Sequence, residues 1–86
     1  MIIVYHRNFL KSARKLPETE QIKLAELLEI LKQNPFHPLL HTKRLTKELS
    51  GFLSFRITRD WRVIFQFTNA ATIQLLRVKN RKDAYR

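Results

Sequence analysis

The chain has 86 residues, 44% of them hydrophobic, and its 17 lysine and arginine residues outnumber 7 aspartate and glutamate residues, giving a formal net charge of +10. This length fits one small domain with a two-layer core, and the hydrophobic content excludes a disordered basic tail. Without cysteine there are no disulfides or thiolate zinc sites. No stretch has the roughly 18 apolar residues of a membrane span or the pattern of a signal peptide. We therefore expect residues 1–86 to form a single soluble, cytoplasmic domain.

The charge excess favours a polyanionic partner, because a small body with this net charge attracts polyanions through its field. Nucleic acid is the first candidate. An acidic protein and an anionic membrane are alternatives, and a soluble basic protein without such a partner is the simplest explanation. Five of the seven acidic residues precede Gly51. The second half of the chain is therefore strongly cationic.

The first third of the chain predicts a strand and two helices. Residues 2–5 are β-branched and aromatic, which is typical of a short strand. Asn8 is a candidate cap for a helix that Pro17 ends. Leucines at helical spacing predict a second helix over residues 19–33, which Pro35 stops. Two helices joined by a proline turn predict an αα-hairpin.

Residues 34–50 contain prolines, histidines and mixed charge, and predict a loop with one short helical turn near Lys47. His37 and His41 are four residues apart, the spacing of a helical metal site. Pro38 between them argues against that helix, so we predict no metal here. Nothing elsewhere in the sequence indicates a cofactor.

The sequence pattern changes to an alternation of apolar and polar residues after Gly51, the only glycine. The alternation covers residues 53–57 and 61–68, and a further strand follows over residues 72–79. The predicted order is therefore β-α-α-β-β-β. This is an α+β fold, an antiparallel three-strand meander with the helical hairpin on one face.

Two arginines, Arg56 and Arg62, lie at positions that the alternation assigns to the open face of this sheet. Arg56 and Arg62 flank one tight turn, so their side chains are expected near each other. Arg77 and Lys79 lie on the last strand, and Arg81 follows it directly. Because neighbouring strands are about 5 Å apart, these groups are predicted to form one cationic surface.

Such a surface has the groups for RNA cleavage by the 2′-hydroxyl, which needs a base, a stabilised phosphorane and a protonated leaving oxygen. Arginine holds phosphate bidentately and stays charged. Tyrosine can give or take a proton, and Tyr85 would share a side with Arg81 if the tail is helical. No histidine follows His41, so a nuclease here would use arginine, lysine and tyrosine.

Simpler explanations exist for each of these features. Charges on a sheet often serve solubility or oppose aggregation, and they can bind phosphate without catalysis. Tyr85 near a chain end can be an ordinary surface aromatic. Trp61 and the phenylalanines are predicted as core residues rather than as platforms for nucleobases.

Four segments together resemble the RelE/ParE superfamily of toxins from type II toxin–antitoxin systems: residues 49–51 (LSG), 55–57 (FRI), 61–65 (WRVIF) and 78–85 (VKNRKDAY). The resemblance implies the strand-and-hairpin start as well, so it covers nearly the whole chain. It also implies an antitoxin encoded nearby. RelE-like members cut mRNA in the ribosomal A site, whereas ParE-like members act on DNA gyrase.

The resemblance implies a catalytic set from the RelE branch. Arg56 matches a basic position of the central strands, and Arg62 matches the arginine that opens the next strand. Arg81 matches the arginine that holds phosphate after the last strand. Tyr85 matches the tyrosine that orients or deprotonates the nucleophile or stacks on a base. The predicted RNA-binding residues are Lys43, Arg44, Ser54, Arg77, Lys79 and Lys82.

One departure concerns a further lysine of the RelE pattern, whose place is taken here by Ser54. Lys79, Lys82 or Lys43 substitutes for it, or the chemistry is weaker than in RelE. The spacing between Arg81 and the terminal tyrosine is also shorter than in RelE itself. The general base is unassigned.

The function predicted from the sequence is a ribosome-dependent mRNA endoribonuclease that inhibits translation and is held inactive by an acidic antitoxin. The first alternative is a ParE-like inhibitor of DNA gyrase without catalysis. The second is a member of the fold that only binds nucleic acid or antitoxin. Fold analogy alone does not decide among them.

Overall fold

The computed structural model describes residues 1–84. Its strands are β1 (Ile2–Tyr5), β2 (Lys43–Arg44), β3 (Leu53–Arg56), β4 (Trp61–Asn69) and β5 (Thr72–Asn80). Its helices are α1 (Arg7–Arg14), α2 (Glu18–Gln33) and a single turn, α3 (Arg81–Ala84), with 3-10 turns at Pro38–Leu40 and Lys47–Leu49. The predicted α+β order is confirmed, with β2 as an additional strand. None of the helices in this part of the chain is long and apolar enough to cross a membrane.

All five strands form one sheet in the order β1-β5-β4-β3-β2. The predicted meander of β3, β4 and β5 is antiparallel, and β1 joins it in parallel beside β5. Residues 34–50 are not wholly a loop, because Lys43 and Arg44 pair with Ser54 and Leu53. Two residues are too few to show an alternation in the sequence, so the prediction missed this strand. The helical turn expected near Lys47 is present as a 3-10 turn.

The first helix begins earlier than predicted. Its N-cap is His6, whose Nδ1 accepts a hydrogen bond from the backbone N–H of Asn8 at 3.0 Å. The prediction of Asn8 as the cap was therefore wrong. An imidazole nitrogen can satisfy an open amide in the first turn as the more usual serine or aspartate oxygen does.

The second helix lies across one face of the sheet. Leu24, Leu27 and Leu31 are buried on its inner side. The turn between the helices is held by Gln21, whose Nε2 donates to the carbonyl oxygen of Leu16 at 2.9 Å. This bond fixes the angle of the predicted αα-hairpin.

The core lies between the helices and the covered face of the sheet. Phe55, Val63, Phe65 and Leu75 are completely buried there. Each buried side chain of this size contributes about 1.5–3 kcal/mol through the hydrophobic effect. Burial on this face thus accounts for much of the fold's stability and leaves the opposite face of the same strands open to a ligand.

A β-bulge interrupts the pairing of β4 with β5. The register joins Val63 with Val78, Ile64 with Arg77, and Phe65 with Leu75. Leu76 is the extra residue. Without it, period two would place Arg77 and Lys79 on the same side as the buried Leu75. Because the bulge moves the alternation by one, Val78 enters the core and the two cations lie on the open face.

The edge of β5 changes neighbour halfway along the strand. β1 pairs with it only as far as Leu75, and α1 lies beside the remainder. The backbone N–H of Val78 donates to Ser12 Oγ of α1 at 2.8 Å. A side chain therefore takes the hydrogen bond that a longer β1 would have formed.

Candidate nucleic-acid interface

A groove with a volume of about 360 Å³ lies on the open face of the sheet. Its cationic side carries Arg62 from β4 and Arg77 and Lys79 from β5. Arg62 is the register partner of Lys79, and Arg77 pairs with Ile64 two residues further along β4. Side chains on adjacent strands at these positions are neighbours, so the three cations form one cluster.

The opposite wall of the groove is apolar. It is formed by Leu45, Leu49 and Phe52, from the segment that joins β2 to β3. The backbone N–H of Leu45 donates to the carbonyl oxygen of Phe52 at 3.0 Å, which closes this segment into a compact arch. Gly51 within it has a φ of 96°, a conformation that favours glycine. The arch holds its apolar side chains over the sheet.

The electrostatics of the groove follow from its lining. Among the side chains that the structure describes, no aspartate or glutamate lines it, so Arg77 and Lys79 give it a positive potential. Guanidinium and ammonium groups bind phosphate, and the apolar wall offers a surface to nucleobases. The arrangement can therefore hold a nucleic-acid strand.

Four of the residues predicted from the sequence line this groove: Ser54, Arg62, Arg77 and Lys79. Ser54 is buried, with 3% of its surface exposed. Lys43 is its register partner on β2, so the side chains of the two residues share the open face. The roles assigned to these residues stay predictions.

Arg56 and Arg44 lie outside the groove. Arg56 is the register partner of Arg62, as expected for two residues that flank one turn, but it lines a separate depression beside α2. Arg44 pairs with Leu53, a residue of the covered face. The guanidinium carbon of Arg44 lies 5.6 Å from the ring centroid of Phe36, a cation–π contact.

Arg81 and Lys82 lie just beyond the end of β5. They line a shallow depression with Arg59 and Asp60. The backbone N–H of Arg81 donates to the carbonyl oxygen of Asp60 at 2.6 Å, which ties α3 to the turn between β3 and β4. Tyr85, predicted to act with Arg81, lies outside the described residues.

His6 is a groove residue that sequence reasoning missed. Because its Nδ1 accepts the N–H of Asn8, Nε2 is the nitrogen of the ring that remains for a ligand. The parallel pairing of β1 with β5 brings it to the groove, and that pairing is not visible in the pattern of residues. Within residues 1–84, no three histidine or acidic side chains are grouped as a metal site requires.

Comparison with known proteins places the chain in a family. The family model that describes the ParE toxin of type II toxin–antitoxin systems, parDE, matches residues 3–85 of this sequence. Comparison with curated protein sequences gives no match.

Solved structures of toxins have the same fold. YafQ from E. coli superposes with a TM-score of 0.80 at 18% identity, over 98% of this chain and 97% of that one. The YoeB/ParE toxin from Agrobacterium tumefaciens superposes with a TM-score of 0.78 at 18% identity, over 93% of this chain and 98% of that one. A chain of the RelBE2 toxin–antitoxin complex from Mycobacterium tuberculosis superposes with a TM-score of 0.77 at 23% identity, over 93% of this chain and 96% of that one.

These structures share the sheet and hairpin described above, and the family model spans nearly the whole chain. The protein therefore belongs to the ParE toxin family of the RelE/ParE superfamily, the toxins of type II toxin–antitoxin systems.

Proposed function

We propose that this toxin is an endoribonuclease that cuts mRNA on the ribosome in the cytoplasm and thereby inhibits translation. The observation that carries the proposal is the groove, in which three cations from adjacent strands face an apolar wall with no described carboxylate among them. Phosphates on the cationic side and bases on the apolar side match the two surfaces of a single RNA strand.

The proposed catalytic groups are those that the resemblance implies. Arg62 stabilises the phosphorane, because a bidentate guanidinium is worth most where charge develops during the reaction. Arg81, in the shallow depression beyond the end of β5, holds a phosphate, and Tyr85 is the group that exchanges a proton. Lys43 takes the place of the lysine expected at Ser54, since it lies opposite that position in the register.

An acidic antitoxin is the proposed protein partner. A chain with a net charge of +10 attracts an acidic segment over long range, and the apolar wall of the groove offers a docking surface. Several of the similar structures are complexes of a toxin with its antitoxin. A short reading frame for an acidic protein beside the gene is the expected genetic arrangement.

Inhibition of DNA gyrase is the second candidate, and a specific observation favours it. The family model that matches residues 3–85 is that of the ParE toxin. In this case the groove would bind protein, and neither a phosphate ligand nor Tyr85 would be needed.

The test uses purified protein, ribosomes programmed with mRNA, and primer extension. We expect cuts in phase with the codons that appear only with ribosomes. Arg62→Gln and Arg81→Ala should each slow cutting by about a hundredfold, the scale of losing one group that stabilises a transition state. Tyr85→Phe should slow it as well.

Lys32→Gln is the matched control, because it also removes one cation, from α2 on the other side of the sheet. It should cut at the rate of the unaltered protein. Intact mRNA from a preparation that still arrests growth in cells would contradict the proposal. Loss of gyrase supercoiling activity with that preparation would then establish the second candidate.

A further inference from the structure

A second depression lies beside the groove, where α1 takes the place of β1 next to β5. It has a volume of about 420 Å³, and Lys11 of α1 and Lys15, the C-cap of that helix, form one side of it. Trp61 of β4 and Asn80 of β5 form the other side. We call this depression the edge pocket.

The edge pocket and the groove share part of their lining. Asn8, Arg77 and Lys79 line both. Past Leu75, α1 lies beside β5 in place of β1, so the edge pocket is the space between α1 and the end of β5. A chain of phosphates that passes Arg77 and Lys79 in the groove therefore meets Lys11 and Lys15 next.

α1 carries an excess of cations at its C-terminal end. Lys11 lies in the last turn and Lys15 is the C-cap, where the helix dipole favours positive charge. No acidic residue occurs in α1, whose sequence is RNFLKSAR. No aspartate or glutamate lines the edge pocket among the described side chains. The two lysines thus add a positive potential that a bound anion would use.

Trp61 gives the pocket an aromatic surface. The sequence predicts a core residue, and the indole does pack against the core, but it remains partly exposed and lines the edge pocket. An aromatic ring beside lysine ammonium groups is the combination that binds single-stranded nucleic acid, with bases on the ring and phosphates on the cations.

We propose that single-stranded RNA extends from the groove past Arg77 and Lys79 and binds in the edge pocket between α1 and the end of β5. Its phosphates bind Lys11 and Lys15, and a base stacks on Trp61. The identity of the ligand as RNA rests on the proposed function. The RNA is thereby bound both in the groove and in the edge pocket, on the two sides of β5.

An acidic peptide fits the edge pocket less well than RNA. Docked peptides gain affinity from aliphatic side chains in apolar clefts. The groove has such a wall, whereas Trp61 and Val78 are the large hydrophobic residues that line the edge pocket among those the structure describes. The polar lining consists of two asparagine amides, three ammonium groups, the Arg77 guanidinium and the Ser12 hydroxyl, groups that match phosphates and base edges.

Trp61 makes the test direct, because it is the only tryptophan and reports on its own pocket through fluorescence. Titration with short single-stranded oligouridylate should quench this emission. Lys11→Gln combined with Lys15→Gln should weaken binding on the order of tenfold at low salt. The slope of log affinity against log salt should fall by about 1.4, since each phosphate contact on a single strand contributes about 0.7.

The matched control combines Arg14→Gln with Lys32→Gln. It removes the same charge from α1 and α2 at residues that do not line the edge pocket. It should bind like the unaltered protein. Equal losses in the two double variants would overturn the proposal, because the effect would then belong to net charge alone.

Two further outcomes also overturn it. One is saturation with oligouridylate, seen by anisotropy of a labelled strand, without a change in Trp61 emission. The other is quenching by poly-glutamate and none by oligouridylate, which would assign the edge pocket to an acidic protein. The titration contains no ribosomes, so these outcomes leave the cleavage assay untouched, and a failed cleavage assay leaves the titration readable.

Discussion

The two faces of the central sheet are built by the same strands and have opposite roles. On the covered face, Phe65 of β4 is completely buried against the helices. On the open face, its sequence neighbour Gln66 lines the groove. Alternation along a strand thus places a residue that stabilises the fold directly beside one that forms the candidate site. Stability and binding are therefore expected to respond separately to substitutions one position apart.

The bulge at Leu76 is the feature on which this separation depends, and deletion of that residue should have the largest effect. Period two would then turn Arg77 and Lys79 into the core and Val78 out of it. Burying an unpaired charge costs several kcal/mol, and a domain is stable by only about 5–15 kcal/mol. We expect no cooperative transition in urea, followed by circular dichroism.

Leu76→Ala is the control for this deletion, since it shortens the side chain and keeps the length of the strand. It should still unfold cooperatively. A deletion variant as stable as the unaltered protein would show that β5 keeps its register without the extra residue.

The covered face should show the next largest effect. Phe65→Ala removes a completely buried ring and should lower the free energy of unfolding by about 3–5 kcal/mol. Gln66→Ala, one position along, removes the hydrogen bond that its Nε2 donates to Gln74 Oε1 at 3.2 Å and should lower it by only about 1 kcal/mol. Urea denaturation of both variants measures the difference. Similar losses of unfolding free energy in the two variants would mean that side chains of the open face contribute as much to stability as those of the core.

The open face should show the smallest change in stability. Arg77→Gln removes one charge from a chain with a net charge of +10, which relieves self-repulsion. We expect the free energy of unfolding to change by less than about 0.5 kcal/mol, with a gain rather than a loss at low salt, where screening is weak. Denaturation at low and high salt tests the sign, and a clear loss at both would assign Arg77 a structural role.

Long elements with a strong pattern were predictable from the sequence. The alternation of Trp61, Val63, Phe65 and Phe67 identified β4, and the leucines of α2 identified its buried side. These patterns are dictated by burial, which acts on every second or every third to fourth residue. The αα-hairpin and the meander followed from them.

Features that depend on one or two residues were not predictable. The bulge at Leu76 changes the phase of the buried residues from Ile73 and Leu75 to Val78, but a single change of phase in a short strand does not by itself identify a bulge. The two residues of β2 cannot show a period. His6 acts as a helix cap in place of the more usual polar residues and reaches the groove only because β1 lies beside β5. Arg56 keeps its predicted register and still lines another depression.

The parallel pairing of β1 with β5 sets when the sheet can be completed during synthesis. Ile2 pairs with Thr72, so β1 has no strand partner until β5 has been synthesised. The groove likewise takes residues from His6 to Lys79. Contacts so distant in sequence form late, because a long loop must close first. A growing chain should therefore lack a complete groove until β5 is made.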